Sequence, residues 1–153
     1  MLHELLKIKK IREQSAETEV RKCQNQLDVA KQEERDKQKA FEEYVQWRIQ
    51  EEKRLYDNII NTEVHQNDLD KLKLKVAQLR EKDVTLEQAL VQAGQQVQEA
   101  EQALAEAKEA YNLAMQAVQK FEEFTRIQDE EAKKEAERLE DLEMEEFTVR
   151  PRY

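Results

Sequence analysis

The sequence predicts an all-α protein built as one long two-helix antiparallel coiled-coil hairpin, and three observations carry that prediction. Gly and Pro occur once each, at Gly94 and Pro151, whereas a chain of many strands needs a steady supply of turn residues. Apolar residues recur every three or four positions over long runs, which is the repeat of a left-handed supercoil. Finally, 39% of the 153 residues are hydrophobic and 40% are charged, so the apolar surface must be a narrow stripe and not the interior of a broad globule. Ala, Glu, Lys, Leu, Arg and Gln dominate the composition and are strong helix formers, which favours long helix over disorder.

The first arm is expected over about residues 2–60. Ala16, Val20, Cys23, Leu27, Ala30, Phe41 and Tyr44 follow a/d spacing, interrupted by Glu34 and Lys37. Beyond Tyr44 the stripe changes phase to Val45, Ile49, Leu55, Tyr56, Ile59 and Ile60, the mark of a stutter that rotates the partner face. Residues 61–68 break the pattern and form the expected turn, with Asn67 or Asp68 capping the next helix and Asp70 adding favourable charge in its first turn.

The second arm is expected over about residues 69–147. Its a positions are Leu69, Val76, Asp83, Leu90, Val97, Leu104, Tyr111 and Val118, broken only by Asp83. Its d positions are Leu72, Leu79, Leu86, Ala93, Ala100, Ala107, Ala114 and Phe121. Gly94 adjoins a d position without shifting the register and reads as a tolerated weak spot. Small d residues draw helix axes together and want large residues opposite. A reversal near residue 64 supplies them by setting Val20, Cys23, Leu27 and Ala30 against the region from Ala100 to Tyr111. A parallel dimer would instead stack alanine on alanine, so a monomeric hairpin is the preferred topology. It should extend for roughly 90 Å with the longer second helix overhanging, and residues 148–153, which contain Pro151, should fray.

Charge is uneven. Residues 1–60 hold 13 acidic and 13 basic groups, leaving 22 of the 35 acidic but 13 of the 26 basic groups for the remainder. Ten acidic against three basic residues lie between Asp129 and Glu146, which disfavours nucleic-acid binding and reads most simply as a solvated helical face. Lys7, Lys9, Lys10 and Arg12 at the other end would meet this acidity in a hairpin. No stretch resembles a secretory leader or membrane span, and the lone Cys23 excludes an internal disulfide framework, so a reducing cytoplasm is expected.

The residues needed for chemistry are missing. A phosphate-cradling loop requires several glycines, and a carboxylate pair on a two-helix rod has no cleft to shift its pKa or exclude water. His3 and His65 lack neighbours for a zinc site, and Cys23 at a d position reads as a small buried hydrophobe. No catalytic, cofactor or metal residue is assigned, and the chain is not expected to be an enzyme.

The unusual segment runs from Phe41 to Asp57 and contains Trp47, two tyrosines and a phenylalanine. One seam cannot bury them all. Packing at the stutter is one reading of Trp47; the other is partner binding, because exposed aromatics and arginines anchor interfaces. The run Trp47-Arg48-Ile49-Gln50-Glu51-Glu52-Lys53-Arg54-Leu55-Tyr56-Asp57 resembles the signature of the YscO group of type III secretion proteins, related in architecture to the flagellar export protein FliJ. Leu79-Arg80-Glu81-Lys82 matches a second shared run. Trp47, Arg48, Arg54 and Tyr56 are the aromatics and arginines expected to stand exposed here, and with Glu51 and Glu52 of the same run they are the candidate partner-binding residues.

The resemblance implies a nonenzymatic stalk in the bacterial cytoplasm, peripheral to the inner-membrane secretion apparatus. Such a stalk enters the hexameric type III secretion ATPase, touches the cytoplasmic domain of the export gate, binds the needle-length regulator and escorts secretion chaperones, without nucleic acid or stable membrane insertion. The alternatives are a chaperone escort or substrate-switching regulator that binds coiled-coil clients, and a structural parallel dimer.

Overall fold

A computed structural model of the chain describes residues 1–60 and 66–149. Two helices account for them, α1 (Leu2–Ile60) and α2 (Gln66–Val149). Neither contains proline, and Gly94 is the only glycine in either, so nothing interrupts the backbone ladder. The Leu5 amide donates to the Met1 carbonyl at the start of α1. Exposed one-turn pairs such as Arg21 with Glu17 and Gln24 with Asp28 add a few tenths of a kcal/mol each. Of the expected turn, residues 61–65 lie outside the described residues, as do His65 and Pro151. Gln66–Asp68 already belong to α2, placing Asp68 in its first turn.

The chain divides into two compact units, Met1–Arg21 with Glu106–Tyr153, and Lys22–Ala105. In the first unit Lys9 lies over the Phe121 ring, Lys10 is 4.0 Å from Glu122 and His3 is 3.0 Å from Asp129. In the second, Glu34 meets Gly94, Tyr44 meets Leu79 and Arg48 meets Asp83. Within each unit, moving toward the start of α1 means moving toward the end of α2. Each unit is therefore an antiparallel helix pair, and the fold is an all-helical hairpin.

The predicted seam of α2 is the buried one from Leu72 onward, whereas Leu69, its first predicted a position, is exposed. Leu72, Val76, Ala93 and Val97 are buried in the second unit, as is Leu104; Ala107 and Val118 are buried in the first. On α1, Cys23 and Leu27 are the buried apolar residues, so the second unit combines small and large side chains as close axial packing requires. Burying a leucine or valine contributes about 1.5–3 kcal/mol. After Thr125 every described side chain of α2 is exposed through Thr148, including the large apolar Ile127, Leu139, Leu142, Met144 and Phe147.

The stutter falls on other residues than the apolar pattern suggests. Ile49, Tyr56 and Ile60 are exposed. The inward line instead runs through Phe41, Tyr44, Arg48, Glu52, Leu55 and Ile59, none of them exposed. Two successive four-residue steps, Tyr44 to Arg48 to Glu52, make the phase change. Two charged residues therefore occupy seam positions that an apolar pattern cannot reveal.

Candidate functional site

The segment singled out by the sequence lies on the last third of α1, in the second unit, opposite the start of α2. Helical spacing sorts its residues onto three lines. The central line is the seam. Arg48 donates from Nη1 to Glu52 Oε1 at 3.1 Å, and its Nε stands 2.6 Å from Asp83 Oδ2. Arg80 approaches from α2 and donates from Nε to Glu52 Oε1 at 3.1 Å. The Tyr44 hydroxyl closes the cluster by donating to the Leu79 carbonyl at 2.7 Å, with the Lys82 ammonium 4.9 Å from the centre of its ring.

Arg48, Glu52 and Asp83 have side chains only 15%, 11% and 19% exposed, so this is a charged layer inside the coiled coil. The hydrogen bond from Arg80, followed by that from Arg48, holds the Glu52 carboxyl below the usual carboxylate range against the opposing effect of burial. Burial raises the Tyr44 phenol, and the Asp83 charge raises it further. The layer is incompletely satisfied: among the described residues Arg48 Nε and Asp83 Oδ1 lack an aligned hydrogen-bond partner, although the ion pair itself is short.

Two outer lines flank the seam. Trp47, Glu51 and Arg54 form one; Trp47 is half exposed, its ring 5.7 Å from that of Tyr44, while the Glu51 side chain is only 17% exposed and both its oxygens accept from the Arg54 guanidinium. That contact lowers the Glu51 carboxyl and raises the Arg54 guanidinium. Ile49, Lys53, Tyr56 and Ile60 form the other, with Ile49, Tyr56 and Ile60 exposed.

The six sequence-named residues thus do not form one patch. Trp47, Glu51 and Arg54 share a face, Tyr56 lies on another, and Arg48 and Glu52 are enclosed between them. The expectation that Arg48 stands exposed is corrected: its guanidinium is drawn into the seam by Glu52 and Asp83. Asp83 and Tyr44 were not singled out as site residues. Asp83 carried a signal, since a lone carboxylate at a seam position calls for a cation across the interface.

Among the described residues no His, Cys, Asp and Glu grouping could hold a metal ion, and no helix is long and apolar enough to cross a membrane. Fold and site define a paired-helix coiled-coil protein whose charged cluster is part of its own packing. The family model for the type III secretion protein YscO matches residues 2–150, and the chain belongs to the YscO family of type III secretion proteins. It is 33% identical over 87 residues to Yop proteins translocation protein O of Yersinia pseudotuberculosis serotype I (strain IP32953), an alignment covering 57% of this chain and 56% of that relative. The chain thus spans about half the length of the curated relative it matches. The crystal structure of the type III secretion protein YscO from Vibrio parahaemolyticus superposes with a TM-score of 0.92 at 25% identity, covering 96% of this chain and 92% of that one.

Proposed function

We propose that this chain is a nonenzymatic central stalk of a bacterial type III secretion system, engaging the secretion ATPase ring and linking it to the export gate from the cytoplasmic side. The observation that carries the reading is the paired-helix seam with a charged layer locked across it. Two helices tied by side chains that cannot slip by one position can pass force along their axis, whereas a single helix would bend. Family membership supplies the system in which such a part would work. Trp47, Arg54 and Tyr56 then offer aromatic and charged side chains to the gate, the needle-length regulator or secretion chaperones, with Glu51 holding the Arg54 guanidinium in place.

The test is ATP hydrolysis by the cognate secretion ATPase with the chain titrated in. Stimulation that saturates near one chain per ATPase hexamer, and is lost in a variant whose helices no longer pair, supports the stalk. No binding and no effect at any ratio sinks it. An escort for helical clients is favoured in one respect, the exposure of Val84 and Val91 on the outer face of α2. Escort activity should then proceed without the ATPase.

A further inference from the structure

The seam of α2 does not stop where α1 does. In the first unit α1 begins at Leu2, and His3 faces Asp129. Yet α2 continues to Val149, about 30 Å of helix beyond that pair. The heptads run on through this stretch in the register of Tyr111, Val118 and the buried Thr125. Ala132, Leu139 and Glu146 take the a positions, and Glu135 and Leu142 take d positions. Leu139 and Leu142 are 51% and 44% exposed, so the interface that joins α1 to α2 is continued in sequence but left uncovered.

The paired part of the seam shows what a carboxylate at such a position takes opposite it. Asp83 breaks the apolar a positions, and α1 answers with Arg48 at 2.6 Å. Glu135 and Glu146 repeat that break where every described side chain is exposed. Glu135 accepts from Arg138 one turn away at 2.7 Å, a solvent-exposed contact that is weak and easily exchanged. Around the two leucines, ten acidic against three basic residues lie between Asp129 and Glu146. A second copy of this chain fits poorly here, because paired overhangs would oppose the same carboxylates and add like charge.

We propose that residues 130–149 are the docking seam for one basic amphipathic helix of a partner protein, which takes up the coiled coil where α1 leaves it. Its apolar a and d side chains pack on Leu139 and Leu142, and an arginine or lysine meets each of Glu135 and Glu146 as Arg48 meets Asp83. The surrounding carboxylates steer a cationic helix to this end of α2 and repel an acidic one. The heptads fix one register and one helix per chain, which separates this junction from an escort that takes helical clients along its outer face. The proposal stands independently of the stalk reading, since it needs no ATPase.

The test uses the full chain and a fluorescent amphipathic peptide about three heptads long, with leucines along its seam and two arginines spaced as Glu135 and Glu146 are. A second peptide carries glutamine in place of both arginines. Anisotropy should show saturable binding of one arginine peptide per chain, preferred over the glutamine peptide by about tenfold, and Glu135→Gln with Glu146→Gln should abolish that preference. Leu139→Ser with Leu142→Ser keeps every charge and should weaken arginine-peptide binding by at least about tenfold, with helix content and thermal midpoint little changed because both side chains are exposed in the free chain. The inference is overturned if neither peptide binds saturably or if the arginine preference survives the two glutamine substitutions. It is equally overturned if the serine variant binds like the wild type, which would reduce the contact to attraction between opposite charges. Self-association of the free chain that Leu142→Glu abolishes, read by ultracentrifugation, would assign the seam to a second copy and overturn it too.

Discussion

Arg48 on α1 and Asp83 on α2 meet across the seam with 2.6 Å between Nε and Oδ2, in a layer where the remaining oxygen of Asp83 has no donor among the described residues. The pair links the charged break in the second-arm heptads to the phase change in the first. Burying two charges costs desolvation that their attraction only partly returns, so the layer sets register more than it adds stability. Asp83→Leu alone should leave Arg48 sharing Glu52 with Arg80 as its one remaining counter-charge and destabilise the chain by about 1–3 kcal/mol, whereas Arg48→Met with Asp83→Leu should recover most of the loss. Urea unfolding followed by circular dichroism measures both. Equal destabilisation by single and double variants would refute a coupled layer.

The same layer predicts a response to acid. The folded pKa of Glu52 is held below the ordinary carboxylate value of 4.5 by Arg80 and then Arg48. Its contribution is therefore fully present above that value and lost as pH falls through the folded pKa. Arg80 is 65% exposed, so solvent screening keeps the contribution to about 1 kcal/mol. Glu52→Gln should lower stability at neutral pH and flatten its decline in acid, as read from thermal midpoints across a pH series. Tyr44 gives the opposite limb. Its pKa is raised above 10.0, so its contribution is present below that value and lost as pH rises through the folded one. Tyr44→Phe should remove that alkaline loss.

Close approach of the helices makes the alanine seam intolerant of bulk. Ala93 is 5% exposed at its d position. Ala93→Leu should destabilise by about 1–3 kcal/mol through overpacking, although leucine has ample helix propensity. The same substitution at Ala132, an exposed position of α2, should change the unfolding midpoint little. Equal effects at both sites would contradict the tight seam.

Trp47 and Tyr56 lie on separate faces and are half exposed. Trp47→Ala loses a ring contact with Tyr44, a cost of about 1 kcal/mol, while Tyr56→Ala should cost less. Both variants should keep their helix content. If these residues bind partners, each should weaken interaction with a different one, measurable by calorimetry against the gate domain and purified chaperones. Unchanged affinities and unchanged secretion in both would confine the aromatics to a structural role.

Much of this molecule is legible as a one-dimensional pattern. The helical class, the antiparallel choice and the burial of Leu72, Val76, Ala93, Val97, Leu104 and Cys23 all follow from where apolar residues recur, because a periodic stripe must find a partner whatever lies elsewhere. Even the anomaly at Asp83 was visible, though its partner was not. Only the tertiary structure decided that Arg48 and Glu52 carry the phase change in place of Ile49 and Tyr56, and that Glu34 rests on Gly94. Spacing assigns charged residues to solvent by default, because an isolated charge is too costly to bury. That default fails where the facing helix supplies a counter-charge or removes a side chain, and those conditions depend on which residues the fold brings opposite each other.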